Sequence, residues 1–223
     1  MTGAGEGYEG RIRNIWSALR RMYGPKRYAK RDPLDELILT ILSQNTTDAN
    51  RDRAFRRLKD RFSSWGDVVD ARPEEVEEAI WSGGLAHVKA RRIQEVLRRI
   101  KSDFGEYSLA ALEGMKTGEG LDYLLSLDGV GEKTARCVLL FGCGRGVFPV
   151  DTHIHRVARR LGLIGEKAGR DEAHEVLGQM IPPELSYEMH INMIQHGRST
   201  CKARNPRCEE CELAPYCRSY KGA

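Results

Sequence analysis

From Asp32 onward the apolar residues recur at intervals of three and four, and nowhere do they alternate over the length of a strand. That periodicity predicts an all-α protein. Asp32-Pro33 has the makings of a helix start, with Asp as N-cap and Pro at the first helical position. Leu34, Leu37, Ile38, Ile41 and Leu42 then follow at helical spacing. A polar break, Ser43-Gln44-Asn45-Thr46-Thr47, precedes a second helix marked by Ala54, Phe55, Leu58 and Phe62. Pro73 opens another, which Gly83-Gly84 stops, and Ile93, Leu97, Ile100 and Phe104 mark one more, ended by Gly105. The same spacing returns over 119–126, 132–142, 152–161, 171–180 and 184–196. A chain of 223 residues can bury one large core or two modest ones.

No run of eighteen apolar residues occurs, so no membrane span is expected. Met1–Gly10 is Gly-rich and lacks the apolar stretch of an export signal, and is expected to be a disordered lead-in. Lys plus Arg number 36 against 32 for Asp plus Glu, a net charge of +4. That balance suits a nucleic-acid binder with its positive charge on one face, and equally an ordinary solvated surface.

Near residue 200 the apolar periodicity gives way to Cys, Pro, Arg and Lys. Four of the six cysteines, Cys201, Cys208, Cys211 and Cys217, form the pattern C-x6-C-x2-C-x5-C. A tail this polar cannot bury a core of its own, so ligand binding must supply the folding free energy it lacks. Without an export signal, metal ligation is favoured over disulfides. A structural zinc and a [4Fe–4S] cluster both remain open on spacing alone. Cys137 and Cys143 lie in an apolar stretch and are expected to be buried core thiols.

A second constellation, Leu127-Asp128-Gly129-Val130-Gly131-Glu132-Lys133-Thr134-Ala135, lies between two helical segments. Its glycines permit a tight turn and close backbone approach, and the free N–H groups of the following helix are suited to a phosphate. The alternative is a plain helix–helix turn. Lys133 falls in the first turn of that helix, where the macrodipole disfavours a cation. Such a position suits a neutral, nucleophilic amine, or else a surface lysine contacting phosphate. Eighteen positions on, Asp151 precedes a helical pattern and is expected to be its N-cap. An oriented carboxylate there could also stabilise positive charge on a sugar. His153 and His155, two apart, do not share a helix face, which counts against a metal pair.

Taken together, Leu127–Ala135, Val150–Val157 and the cysteine tail resemble the endonuclease III family of the helix-hairpin-helix glycosylase superfamily. The resemblance runs from about Ile38 to Cys217, and its tail spacing selects the [4Fe–4S] cluster on Cys201, Cys208, Cys211 and Cys217. It implies two helical lobes flanking a DNA-binding cleft. One is a six-helix lobe over 34–146; the second combines 11–33 with 147–200, and the cluster loop occupies 201–217. Lys133 and Asp151 match the family's catalytic pair. The family everts the damaged nucleotide, and Leu85 falls where a side chain fills the vacated space. Gln44 and Asn45 lie on the loop addressing the opposite base. Gly129, Val130 and Gly131 would grip the backbone, joined by His153 and by Arg204 and Arg207 of the cluster loop.

The implied activity is a bifunctional DNA glycosylase and abasic-site lyase of base-excision repair, with oxidised pyrimidines as the default lesion. The implied partner is double-stranded DNA bearing damaged bases or abasic sites, bound by a monomer that is cytoplasmic, or nucleoid-associated in a prokaryote. Two rivals are a mono-functional adenine or thymine/uracil mismatch glycosylase and a non-catalytic, zinc-ordered DNA-binding module. The chain departs from the family pattern at Asp128, where Pro is common, and at Glu132, where a basic residue is common. It departs also in the Ser43–Asp48 loop and in extra sequence around Gly114–Gly120.

Overall fold

The computed structural model describes residues 7–220, and these are helical with no strand among them. In chain order the helices are α1 (Tyr8–Tyr23), α2 (Pro33–Leu42), α3 (Asp48–Arg61), α4 (Trp65–Asp70), α5 (Pro73–Ile80) and α6 (Ala86–Phe104). They continue with α7 (Thr117–Leu125), α8 (Glu132–Cys137), α9 (Thr152–Leu161), α10 (Arg170–Met180) and α11 (Ser186–Ser199). Among the described residues no helix is long and apolar enough to cross a membrane. The chain divides into two compact units: a continuous one, Lys30–Gly144, and one built from the described parts of Met1–Ala29 and Arg145–Ala223.

The continuous unit is organised around α2, whose Leu34, Leu37, Ile38, Ile41 and Leu42 are all buried. Each contributes roughly 1.5–3 kcal/mol of transfer free energy. Asp32 caps this helix by accepting from the Asp35 amide at 2.9 Å, with Pro33 in the first turn. Glu36, buried within it, is held by Arg31 at 2.8 Å and by the Thr40 hydroxyl. Around α2 pack α3, α6 and α8. The long α6 buries Ala90, Ile93, Val96, Leu97 and Ile100 along one stripe and stops at Gly105 in the left-handed region, φ 78°. Beyond Cys137, α8 widens into a π-helical turn, Val138–Gly142. Gly142 lies so close to Pro33 that an added Cβ would stand 2.7 Å from its Cα.

The discontinuous unit joins α1 to α9, α10 and α11. Ile12, Ile15, Ala18 and Leu19 form the buried stripe of α1. They share a core with Phe148, Ile154, Val157, Leu161, Leu177, Met189 and Met193, closed by Leu213 from the cysteine tail. Gly162, with φ 70°, ends α9.

Several sequence expectations need correction. The expected lead-in to Gly10 is too long, because α1 begins at Tyr8; Met1–Glu6 lie outside the described residues. Phe62 is the C-cap of α3 rather than part of it. Cys137 is buried as expected, but Cys143 is only half-buried because it follows the π-turn at the unit's surface. The stretch around Gly114–Gly120 is a bend after a 3-10 turn, Ala110–Glu113, followed by the start of α7. There the Glu119 carboxylate accepts from the Lys116 amide at 2.8 Å. One helix, α4, carries no strong apolar period; it forms on a capping box between Ser64 and Asp67.

Candidate active site and nucleic-acid interface

In the continuous unit, α7 and α8 are joined by a tight turn anchored by Leu127 and Val130, both buried. The Val130 amide returns to the Leu127 carbonyl at 3.1 Å, and Gly129 takes φ 70°. The first helical bond of α8 runs from the Ala135 amide to the Gly131 carbonyl at 3.0 Å. The N–H groups of the preceding residues are the ones that a helix N-terminus leaves without carbonyl partners. Lys133, second residue of α8, is half-buried. No ion pair or hydrogen bond engages its amine among the described residues.

The two departures in this turn have different outcomes. Glu132 is taken up by Arg136 on the same helix at 2.7 Å, so its charge is largely neutralised. Arg92 of α6 lies directly over Gly129, where an added Cβ would overlap its guanidinium. A cation therefore reaches the turn from another helix. Sequence reading did not find Arg92, because only tertiary packing brings it to the hairpin.

A second surface of the same unit gathers Gln44, Asn45 and Leu85. Asn45 and Leu85 both have positive φ, 53° and 50°, unusual for residues with a Cβ. Leu85 is the N-cap of α6 and is 57% exposed. Trp81 and Val88, also exposed, flank it in sequence, so three of the large exposed hydrophobics fall within eight residues. Exposed apolar side chains this close in sequence make the segment a candidate contact surface. Trp81 and Val88 were not picked out from sequence, since helical spacing alone does not tell an apolar residue facing out from one facing in.

In the discontinuous unit, Asp151 caps α9: its Oδ1 accepts from the Ile154 amide at 2.7 Å. Among the described residues no hydrogen bond engages the other carboxylate oxygen. His153 and His155 serve different partners. His155 Nε2 meets the Ala168 carbonyl at 2.9 Å, a structural tie. His153 Nδ1 lies 3.2 Å from Arg156 Nη2, which also donates to the Gly197 carbonyl at 2.7 Å. Arg156 Nε donates to the Cys201 carbonyl at 3.1 Å, linking α9 to the start of the tail. Gly197 is required there, since an added Cβ would stand 2.8 Å from that of His153.

The tail folds back on itself, with the Arg207 amide bonded to the Thr200 carbonyl at 2.9 Å. Cys201, Cys208, Cys211 and Cys217 all line one cavity of about 220 Å³, walled by Val157, Leu161 and Leu213. The sulfurs stand around this space rather than converging: among the described residues no three His, Cys, Asp or Glu are gathered as for a single metal ion. Burial raises the Cys211 thiol above the ordinary thiol range, and the three other cysteines reinforce the shift against a lowering contact from the Leu213 amide. Four thiols set around an apolar-walled cavity, and not gathered on one point, suit a polynuclear centre, and the donor set fits an iron–sulfur cluster. Arg204 and Arg207 are exposed on the loop between the first two cysteines.

Thus Lys133, Arg92 and the glycine turn belong to one unit with Gln44, Asn45 and Leu85; Asp151, His153, the cysteines and the two loop arginines belong to the other.

Comparison with known proteins gives the family. Residues 38–183 match the model of HhH-GPD superfamily base excision DNA repair proteins, and 201–217 match the iron–sulfur binding domain of endonuclease III. Endonuclease III of Thermotoga maritima is 34% identical over 197 residues, covering 88% of each chain. An Arabidopsis thaliana relative is 40% identical over 171 residues, of whose length the match spans 58%. A non-covalent endonuclease III–DNA complex superposes with TM-score 0.81 at 32% identity, covering 96% of each chain. A trapped endonuclease III–DNA covalent intermediate does so with TM-score 0.80, also at 32% identity, over 96% of this chain and 97% of that one. The chain belongs to the endonuclease III family, within the helix-hairpin-helix superfamily of base excision DNA repair proteins, and carries that family's iron–sulfur cluster.

Proposed function

We propose that this protein releases a damaged base, an oxidised pyrimidine, from duplex DNA and then nicks the strand 3′ to the abasic site. Lys133 is the nucleophile in this reading. Its neutral amine attacks C1′ of the everted nucleotide as the C1′–N bond breaks; the base departs and takes up a proton, and the amine loses its own. The sugar ring then opens, the C1′–O4′ bond breaking as O4′ takes up a proton, and the iminium so formed acidifies the C2′ hydrogen, whose removal breaks the C3′–O bond and expels the 3′ phosphate by β-elimination; water then frees the lysine. Asp151 stabilises the positive charge developing on the sugar and relays protons.

The observation that carries this reading is Lys133 itself: half-buried, free of any ion pair among the described residues, and two residues past Gly131 of the glycine turn. Further support comes from a structural neighbour, an endonuclease III trapped as a covalent intermediate with DNA. The turn and Arg92 take a phosphate of the same strand, Leu85 fills the gap left by eversion, and Gln44 and Asn45 address the opposite base. Cys201, Cys208, Cys211 and Cys217 would hold the cluster, and the tail so cross-linked would present Arg204 and Arg207 for backbone contacts. The enzyme acts as a monomer in the cytoplasm or on the nucleoid.

Borohydride reduction with an abasic duplex tests the reading. A covalent adduct that maps to Lys133 is expected. Strand nicking without any adduct at that residue would overturn the assignment, and base release without nicking would favour a mono-functional mismatch glycosylase. A panel of lesions and opposite bases, scored separately for release and nicking, identifies the substrate.

A further inference from the structure

Lys89 sits in the first turn of α6, only 3% exposed. A cation there is opposed both by the helix dipole and by burial. Among the described residues no carboxylate forms an ion pair with it. Its ammonium instead donates to three backbone carbonyls: Leu42 at 2.7 Å, Gln44 at 2.6 Å and Gly83 at 2.7 Å. These three bonds use all the hydrogens of one ammonium. They also join two separate loops, for Leu42 and Gln44 lead out of α2 and Gly83 leads into α6.

The gripped carbonyls are placed where strain must be held. Gln44 immediately precedes Asn45, and Gly83 lies two residues before Leu85, the left-handed residues of this surface. Each such conformation costs about 1–3 kcal/mol and persists only when its surroundings over-determine it. At Gly84, an added Cβ would be 3.7 Å from the Asn45 carbonyl, so the loops touch beside the ammonium. A hydrophobic residue at position 89 would have filled the same space without the cost of burying a charge.

We infer that Lys89 is a positioning residue for base eversion, fixing Leu85 and Asn45 as one preset pair so that the gap is filled as the nucleotide leaves. The inference rests on the roles proposed above for Leu85 and Asn45. Burial pushes the ammonium down to about 8. The staple is therefore an expensive feature, in keeping with a positional role.

The test separates steps that need eversion of a base from steps that do not. An abasic site has no base to unstack or unpair, so it depends less on a preset wedge. In the cluster-loaded enzyme, Lys89→Met is expected to slow single-turnover base release by roughly tenfold or more, with nicking of abasic duplex kept within about threefold. Combined with Leu85→Ala, it should add little further loss, because both remove the same action. Lys89→Gln keeps two N–H donors and should lose less; it carries the test if the Met variant fails to fold. Equal loss of both activities, or full additivity with Leu85→Ala, would overturn the positioning role. If wild-type enzyme and Leu85→Ala release bases equally, the proposed wedge itself falls, a result distinct from failure of the staple.

Discussion

The carboxylate at position 151 serves both helix and chemistry, and the structure allows the two to be separated. Its Oδ1 takes the Ile154 amide at 2.7 Å. Asn caps helices about as well as Asp, so Asp151→Asn keeps that bond and loses only the charge at the helix N-terminus, about 0.3–1 kcal/mol. Asp151→Ala loses the charge and also orphans the amide, a further cost of about 1 kcal/mol. For a chain of this size each kcal/mol shifts the melting midpoint by about 2–4 °C, so Ala should melt a few degrees below Asn. Removal of one preorganised electrostatic stabiliser of a transition state typically costs about 10²–10³ in rate. The two variants should therefore differ in stability and share one rate loss of that size. Single-turnover release of an oxidised pyrimidine, measured beside thermal melting at a fixed scan rate, provides both numbers. If Asp151→Asn releases base within threefold of wild type while Ala is slow, the residue acts only as a cap and its chemical role is refuted.

Lys133→Gln should abolish base release and nicking yet retain duplex affinity, measured by fluorescence anisotropy; surviving nicking would contradict the nucleophile assignment. Gly129→Ala forces a Cβ into the left-handed region, at about 1–2 kcal/mol, and displaces Arg92. Its loss of DNA affinity should exceed that of Glu132→Ala, with a shallower salt dependence than wild type. Cys211→Ser should bleach the cluster's visible absorption, open the 201–217 loop to protease and weaken DNA binding; an apo protein of undiminished affinity would leave Arg204 and Arg207 without a role. The Lys89 proton is held less tightly in the folded chain than in the unfolded one, so stability should rise with pH from about 8 toward the ordinary lysine range. Lys89→Met should flatten that slope in chemical denaturation.

Much of this molecule could be read from spacing. The start of α2 was legible because Asp32 and Pro33 act locally, through a cap and a fixed φ, and the end of α6 because Gly105 takes a left-handed turn. The extent of α9 was likewise evident from Asp151 and the Ile154, Val157, Leu161 stripe. By contrast α4 is short and polar, and only its Ser64–Asp67 box announces it. The start of α1 was hidden by glycines just upstream, although Ile12, Ile15 and Leu19 already carried its stripe. At the candidate site, sequence order picks out Lys133 and Asp151 but not their supports. Arg92 over Gly129 and the three carbonyls on Lys89 are products of tertiary packing, invisible to any local pattern.

The split core has a bearing on synthesis. The apolar stripe of α1, Ile15 and Leu19 included, packs on α11 and must wait for that helix, with its Met189 and Met193, before it is covered. That gap of roughly 170 residues takes about 10–30 s to translate at ordinary ribosomal speeds. Lys30–Gly144 can collapse in the meantime, while α1 trails from the ribosome with a greasy side showing. Among the described helices the earliest made is thus among the last to be sheltered, so this nascent chain should be a client for whatever chaperone guards the ribosome's exit.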